Sequence, residues 1–255
     1  MMPNPPAMFP QASLPPASPQ AATAATTAAA AGQPVVAVAA DARVALVLGA
    51  TGLVGREILA HLLADKTYTA VHCVGRRPPG TTHPKLVNHL LEDFTAFQAP
   101  EVDDVFIALG TTIKVAGSQQ AFRAIDFEAV LAVARSARVA GARRLGIVSA
   151  MGANPRSHIF YNRVKGEMES SVSRLGYDRV IFARPSLLSG DRSTLGQPQR
   201  AAEKWATTTM RLLRPLTPAN YRAISASDVA DALVNAVKSG LAGQKVLLSG
   251  DMQPR

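Results

Sequence analysis

The stretch "RVALVLGATGLVGREILAHLL", residues 43–63, restricts the fold more than any other part of the chain. A short apolar, β-branched run gives way to a turn containing Gly49, Gly52 and Gly55. Apolar residues at helical spacing follow at Ile58, Leu59, Leu62 and Leu63. Strand, glycine turn and helix in that order predict the opening unit of a doubly wound parallel sheet, a Rossmann-like α/β fold. Such glycines permit a tight turn, close approach of backbone to a pyrophosphate, and close contact between helix and strand. The helix N-terminus then offers unpaired N–H groups and a positive dipole end. Gly49, Thr51, Gly52, Leu53, Val54 and Gly55 are therefore expected to hold the phosphates of a dinucleotide.

Before this unit the composition is different. Residues 1–42 contain no Lys or Arg and are dominated by Ala, Pro, Thr and Gln. Such a segment has too few large apolar side chains to offset its ordering entropy, and it is expected to be a disordered tail. No positive region precedes an apolar stretch as in a secretory signal, and the arginines of a mitochondrial transit peptide are missing. Residues 43–255 suit one dinucleotide-binding domain, closing with a small segment on the substrate side. No apolar run reaches the roughly 18–20 residues of a membrane-spanning helix, so no membrane partner is expected. Cys73 is the lone cysteine, which fits a reducing compartment, and the expected location is cytoplasmic. The formal charge of +9 invites a nucleic-acid reading, but only 5% of residues are aromatic and no RNA-binding or zinc-ligand pattern is present. A basic surface that suits a phosphate-rich cofactor accounts for the charge, and no nucleic-acid partner is expected. The five histidines are scattered without ligand spacing, so no metal is expected.

A second strand, "YTAVHCVGRRPPG", ends 21 residues past Gly55 at Arg76 and Arg77. That is where an acidic residue would meet the ribose hydroxyl of NAD. Two guanidinium forks instead suit the extra phosphate of NADP, with a solvated basic turn as the plain alternative; NADP(H) is preferred and NAD(H) admitted. A third strand, "KLVNHLLEDF", ends near Asp93, placed either to meet the adenine amino group or to cap a helix. A fourth, "DDVFIALGTT", ends at Gly110, Thr111 and Thr112, small residues that leave room for a cofactor; Leu109, Gly110 and Thr111 are expected to contact it. The segment "SQQAFRAIDFEAVLAVARSARVAG" reads as one long amphipathic helix stopped by Gly141.

The fifth strand, "RRLGIVSAMG", delivers Ser149 to its C-terminal end. Twelve residues later comes Tyr161 and then Lys165, four apart and so on one helix face. A pair at that spacing is common, but here it follows a phosphate loop and a strand-end serine in the order that lets all three converge.

These features resemble the short-chain dehydrogenase/reductase superfamily in its atypical or extended form. Within it, "LGTT" at 109–112, "YNRVKGEME" at 161–169 and "YDRVIFARPSLLSGDR" at 177–192 are most similar to the Tat-interacting-protein-like oxidoreductases. The resemblance covers roughly residues 43–250 and implies a catalytic Ser149, Tyr161 and Lys165. A free tyrosine has a pKa near 10, and a neighbouring ammonium favours its phenolate. Tyr161 would exchange a proton with the substrate oxygen, Ser149 would hold that oxygen, and Lys165 would meet the nicotinamide ribose. The resemblance also implies a carboxamide contact by backbone after an Arg-Pro pair, here Arg184, Pro185, Ser186 and Leu187. It departs from the superfamily at the asparagine of the fourth helix, where this chain offers Asp126; the relay is left unassigned.

Only 71 residues follow Arg184, short for a sugar-nucleotide lobe. "GQPQRAAEKWATTTMRLLRPL" reads as a basic helix near the site, Ser225 as the cap of a further helix, and "KVLLSG" as a last edge strand. The expected function is NADP(H)-dependent hydride transfer to or from a small carbonyl or alcohol. A sugar-nucleotide epimerase or dehydratase, and a non-catalytic NADPH-binding regulator, are the alternatives. Helices of this sheet type commonly form dimer faces, so a homodimer is admitted.

Overall fold

The structure, a computed structural model, describes residues 42–189, 218–239 and 241–254. The expected disorder of residues 1–42 and the basic helix carrying Trp205 and Met210 lie outside the described residues.

Seven parallel strands form the sheet: β1 (Arg43–Leu48), β2 (Tyr68–Gly75), β3 (Leu86–Leu90), β4 (Asp104–Ile107), β5 (Arg144–Val148), β6 (Arg179–Arg184) and β9 (Gly243–Leu248). Their spatial order is β3-β2-β1-β4-β5-β6-β9. Connections run outward in opposite directions from β1 and β4, which makes the gap between the C-terminal ends of those strands the switch point where a ligand binds. A two-stranded parallel pair, β7 (Leu188–Ser189) with β8 (Ile224–Ser225), sits apart from the main sheet.

Both faces are covered, so the strands read as apolar runs whose alternate residues serve different cores. Ala45 and Val47 of β1 pack with Ile58 and Leu62 of α1 (Leu53–Ala64) and Val229, Leu233 and Val237 of α6 (Ala226–Lys238). Leu46 and Leu48 face the opposite core with Val133 and Ala137 of α4 (Val130–Val139) and Met168 and Val172 of α5 (Phe160–Val172). Burying each such side chain contributes about 1.5–3 kcal/mol. Gly146 marks how closely α6 approaches β5, since a Cβ there would lie 2.8 Å from Val237 Cγ2.

Local signals behave as their chemistry requires. Ser225 Oγ accepts the Asp228 amide at 3.0 Å and caps α6. Gly141, at φ +106°, follows the last turn of α4. The long helix departs from expectation in one respect. It runs as α3 (Gln119–Arg123), then a π-helical stretch Ala124–Ala129, then α4. Asp126 sits in that wider turn, and such turns recur at functional sites. The third strand ends at Leu90, three residues before Asp93. Among the described residues the last strand pairs with β6 alone and lies at the edge of the sheet, as expected. Among the described residues no helix is long and apolar enough to cross a membrane.

Candidate active site

The glycine turn brings the end of β1 against the end of β4. Gly49 has φ +89°, and a Cβ on it would fall 2.7 Å from Leu109 N. A Cβ on Gly55 would stand 2.1 Å from Gly49 O, so α1 can lie this close to the loop only with glycine there. Gly52 is the N-cap of α1 and supplies no side-chain cap; the first turn of the helix carries no acidic residue. The first amides of α1 are thus free of a competing anion, a surface that fits a phosphate.

Three hollows run along this edge and share lining residues. The middle one, about 340 Å³, is lined by Gly49, Thr51, Gly52, Arg76, Arg77 and Gly110 among others. An outer hollow of about 200 Å³ shares Arg76, Leu109 and Ile125 with it and adds Glu92, Asp93 and Glu128. The inner one, about 280 Å³, shares Gly52, Leu109, Gly110 and Thr111, and adds Leu53, Val54, Ser149, Tyr161 and Lys165. Along this edge the lining changes in order: carboxylates and guanidinium at one end, the glycine turn in the middle, a hydroxyl, phenol and ammonium at the other.

At the inner end, β5 carries the chain to Ser149, whose Oγ is buried and makes no hydrogen bond among the described residues. Helix α5 presents Tyr161 and, one turn on, Lys165. Tyr161 is half-buried against Phe122, ring centroids 5.4 Å apart. Lys165 is buried, with Nζ 2.7 Å from Asp126 Oδ1. Burial alone would push this ammonium's pKa down; the Asp126 carboxylate, with Tyr161 and Glu169, outweighs it and holds the pKa above the usual lysine value. Asp126 is itself fully buried and accepts the Thr111 amide through Oδ2 at 2.9 Å. A turn further along α5, Glu169 receives both arms of Arg184, at 3.0 and 2.5 Å.

Other expected residues sit elsewhere. Gly55 is buried beneath the loop and lines none of the three hollows. The Asp93 side chain caps the short 3₁₀ turn Phe94–Ala96 by accepting Thr95 N at 2.8 Å while it borders the outer hollow, so both alternatives hold geometrically. The Arg184 guanidinium is committed to Glu169, and Pro185 is buried. Ser186 is held by Ser249 and by the Arg222 carbonyl at 2.6 Å, while Leu187 is exposed. Leu188, not Leu187, reaches the inner hollow. Sequence reasoning passed over Leu188, Val115 and the pairing of Asp126. The last had a signal: Phe122, Asp126, Ala129, Val130 and Val133 form one buried helical stripe, with a carboxylate in its middle. Cys73 is a buried core thiol, pushed up to about 12 by burial. No cluster of three or more metal-type side chains occurs among the described residues.

Residues 49–240 match the model of an NAD(P)H-binding family. The chain belongs to that family. Protein FMP52-1, mitochondrial, of Scheffersomyces stipitis is 38% identical over 157 residues, 59% of this chain and 69% of that protein. Protein fmp52, mitochondrial, of Aspergillus fumigatus is 33% identical over 84% of this chain and 91% of its own length. These relatives overturn the cytoplasmic expectation. An unpaired cysteine reports redox chemistry and not an address, and missing arginines argued only against one kind of targeting signal. Among solved structures, MoeE5 with UDP-glucuronic acid and NAD superposes at TM-score 0.61, 18% identity, over 80% of this chain and 75% of that one. UDP-N-acetylglucosamine 4-epimerase from Methanobrevibacter ruminantium superposes at 0.61 and 15%, over 82% and 77%. At such identities the likeness is one of fold alone.

Proposed function

We propose that this NAD(P)H-binding protein is an oxidoreductase that moves a hydride to or from a hydroxyl-bearing carbon held against Ser149, Tyr161 and Lys165. The carrying observation is the buried, unpartnered Ser149 Oγ in one hollow with the phenol and the ammonium. A buried hydroxyl without a partner costs about 1–3 kcal/mol, a cost that a substrate oxygen removes. A bound nicotinamide supplies the hydride. Tyr161 gives a proton to the carbonyl oxygen as it is reduced, or takes one from the alcohol, and Ser149 Oγ orients that oxygen. Lys165, ion-paired with Asp126, has ammonium protons to offer a ribose hydroxyl and the phenol. Leu109, Gly110 and Thr111 line the cofactor's path, and the turn from Arg184 to Leu187 contributes at most backbone.

Arg76 and Arg77 at the end of β2 support NADP(H). The carboxylates of Glu92, Asp93 and Glu128 share the outer hollow with Arg76, which supports NAD(H) as well. The substrate has two candidate classes. The sugar-nucleotide enzymes that share the fold favour an epimerase- or dehydratase-like reaction, in which the same hydride step is reversed on one retained cofactor. A small carbonyl reduced with exchange of cofactor is the second reading. The motifs that resemble the Tat-interacting-protein-like branch add weight to reductase chemistry in either form.

Calorimetric titration with NADPH and NADH, followed by turnover with UDP-sugars and with small aldehydes and ketones, separates these readings. An Arg76→Ala/Arg77→Ala variant should weaken NADPH at least about tenfold and NADH little if the 2′-phosphate is bound there. Equal losses for both would remove the NADP preference. Cofactor binding without any turnover would favour the regulatory alternative.

A further inference from the structure

Asp126 is fully buried between two donors, and the geometry shows why an asparagine would not do there. Both carboxylate oxygens face donors: the Lys165 ammonium at 2.7 Å on one side and the Thr111 amide at 2.9 Å on the other. A carboxylate accepts on both sides. An asparagine accepts through one oxygen and sets an NH₂ against the remaining donor, whichever way it is turned. The π-helical stretch carries this carboxylate on the buried stripe of its helix, where it ties the loop after β4 to α5.

We propose that Asp126 is a positioning residue, the dedicated counter-ion that keeps Lys165 charged and aimed into the inner hollow throughout the working pH range. A buried lysine without a partner loses its proton several pH units early. The other carboxylate near Lys165 is Glu169, and its two oxygens are taken by Arg184. The remaining charged groups on the packed elements are engaged elsewhere or face away. Arg123 and Glu167 pair with each other, Arg163 donates to the Ser157 carbonyl, and Glu128 borders the outer hollow. Among the described residues Asp126 is the one carboxylate in ion-pair contact with the ammonium. A Cβ on Gly110 would lie 3.5 Å from Asp126 Oδ1 and 3.8 Å from Lys165 Nζ, so the loop is packed directly over the pair. The raised pKa of Lys165 agrees with this assignment. The functional consequence rests on the hydride-transfer reading: Tyr161 works beside a lysine whose charge is constant with pH, and the alkaline limb of activity belongs to the phenol.

The test reads Lys165 directly, without substrate. The chain has seven lysines, few enough to follow each ¹³Cε–Hε signal through a pH titration of the full-length protein, with Lys165 assigned by its loss in Lys165→Met. In the unmodified protein the Lys165 midpoint should lie above the ordinary lysine value of about 10.4. In Asp126→Asn it should fall by at least about one pH unit. The alkaline limb of kcat/KM should move down with it. A wild-type midpoint at or below the ordinary value overturns the assignment even if the variant does not fold. An unmoved midpoint in a folded Asp126→Asn overturns it too. If the titration behaves as expected and no carbonyl, alcohol or UDP-sugar turns over, the ion pair stands and the hydride-transfer reading fails. If Tyr161→Phe abolishes turnover but the midpoint does not move, the reverse holds.

Discussion

The two ends of the sheet each bury a carboxylate beside a tyrosine, and they use it in opposite ways. At the N-terminal end, Asp104 is fully buried, accepts the Tyr68 hydroxyl at 2.7 Å, pairs with Arg144 and lies 3.6 Å from Arg43. Burial first, and then the adjacent carboxylate, push Tyr68 far above the usual phenol range. Its proton is locked in place. At the C-terminal end, Asp126 is equally buried, but it faces an ammonium, and that ammonium shares a hollow with Tyr161 and an unpartnered serine hydroxyl. The first cluster joins four strands and meets every oxygen of its carboxylate with a protein donor or cation, although Arg43 Nη1 reaches it only as an ion pair. The second leaves donors directed at a space that a ligand can enter. Buried charge marks function only when its hydrogen-bond capacity is unfinished.

The sharpest way to break that contrast is to remove one hydroxyl at each end. Tyr161→Phe should lower kcat/KM by about 10²–10⁴-fold, the span of a general acid–base contribution, with cofactor affinity nearly unchanged. Tyr68→Phe should leave kcat/KM intact and lower stability by about 1.5–3 kcal/mol, because it takes a donor from a buried carboxylate. Loss of turnover in Tyr68→Phe without loss of stability would show that the first cluster is not merely structural.

Next in size is Asp104→Asn. It leaves Arg144 without its anion in a mostly buried site and should cost about 3–5 kcal/mol in urea unfolding, again with the active site working. Ser149→Ala is its counterpart. Removing that hydroxyl should cut kcat by about 10²-fold if it holds the oxygen on which charge develops. Stability should hold or rise, by up to about 1–3 kcal/mol, since the substitution removes a buried hydroxyl that has no partner among the described residues. A destabilisation above about 1 kcal/mol would mean that Ser149 is a packing residue.

The C-terminal cluster was far more legible in the sequence than the N-terminal one. Glycine spacing, strand-end serine and a helical Tyr–Lys pair are local patterns, each fixed by the period of one element, and the parallel order of strands follows from the alternation of apolar runs with helices. Asp104 and Tyr68 lie 36 residues apart and meet only because β2, β1 and β4 are neighbours in the sheet. Nothing local announces such a pair. Asp126 lies between these cases. Its place on a buried stripe was readable, but its partner required knowing that α5 packs across the π turn. Arg184 shows the converse. Its position at the end of β6 puts it at the C-terminal edge of the sheet, yet its side chain turns to Glu169, which stands one turn from Lys165 on the same helical face.

The smallest effect sharpens the comparison at a third place, the β2–β3 side of the sheet. His72 Nδ1 lies 2.8 Å from His89 Nε2, so one proton bridges two rings. Burial, and for His72 the neighbouring imidazole as well, hold both pKa values below the usual histidine value. The sign follows directly. Above about pH 6.5 both folded and unfolded chains carry neutral rings and the fold keeps its full stability. Below it the unfolded chain takes up protons that the folded pair resists, and stability drains away until the folded pKa is passed. Both rings are partly exposed, so the melting temperature should drop by only about 2 °C between pH 7.5 and 5 on their account. His89→Gln should flatten that part of the slope, and Tyr161→Phe should leave it alone. If the slope survives in His89→Gln, the pair contributes no pH sensitivity, and the contact between the two rings is one of packing alone.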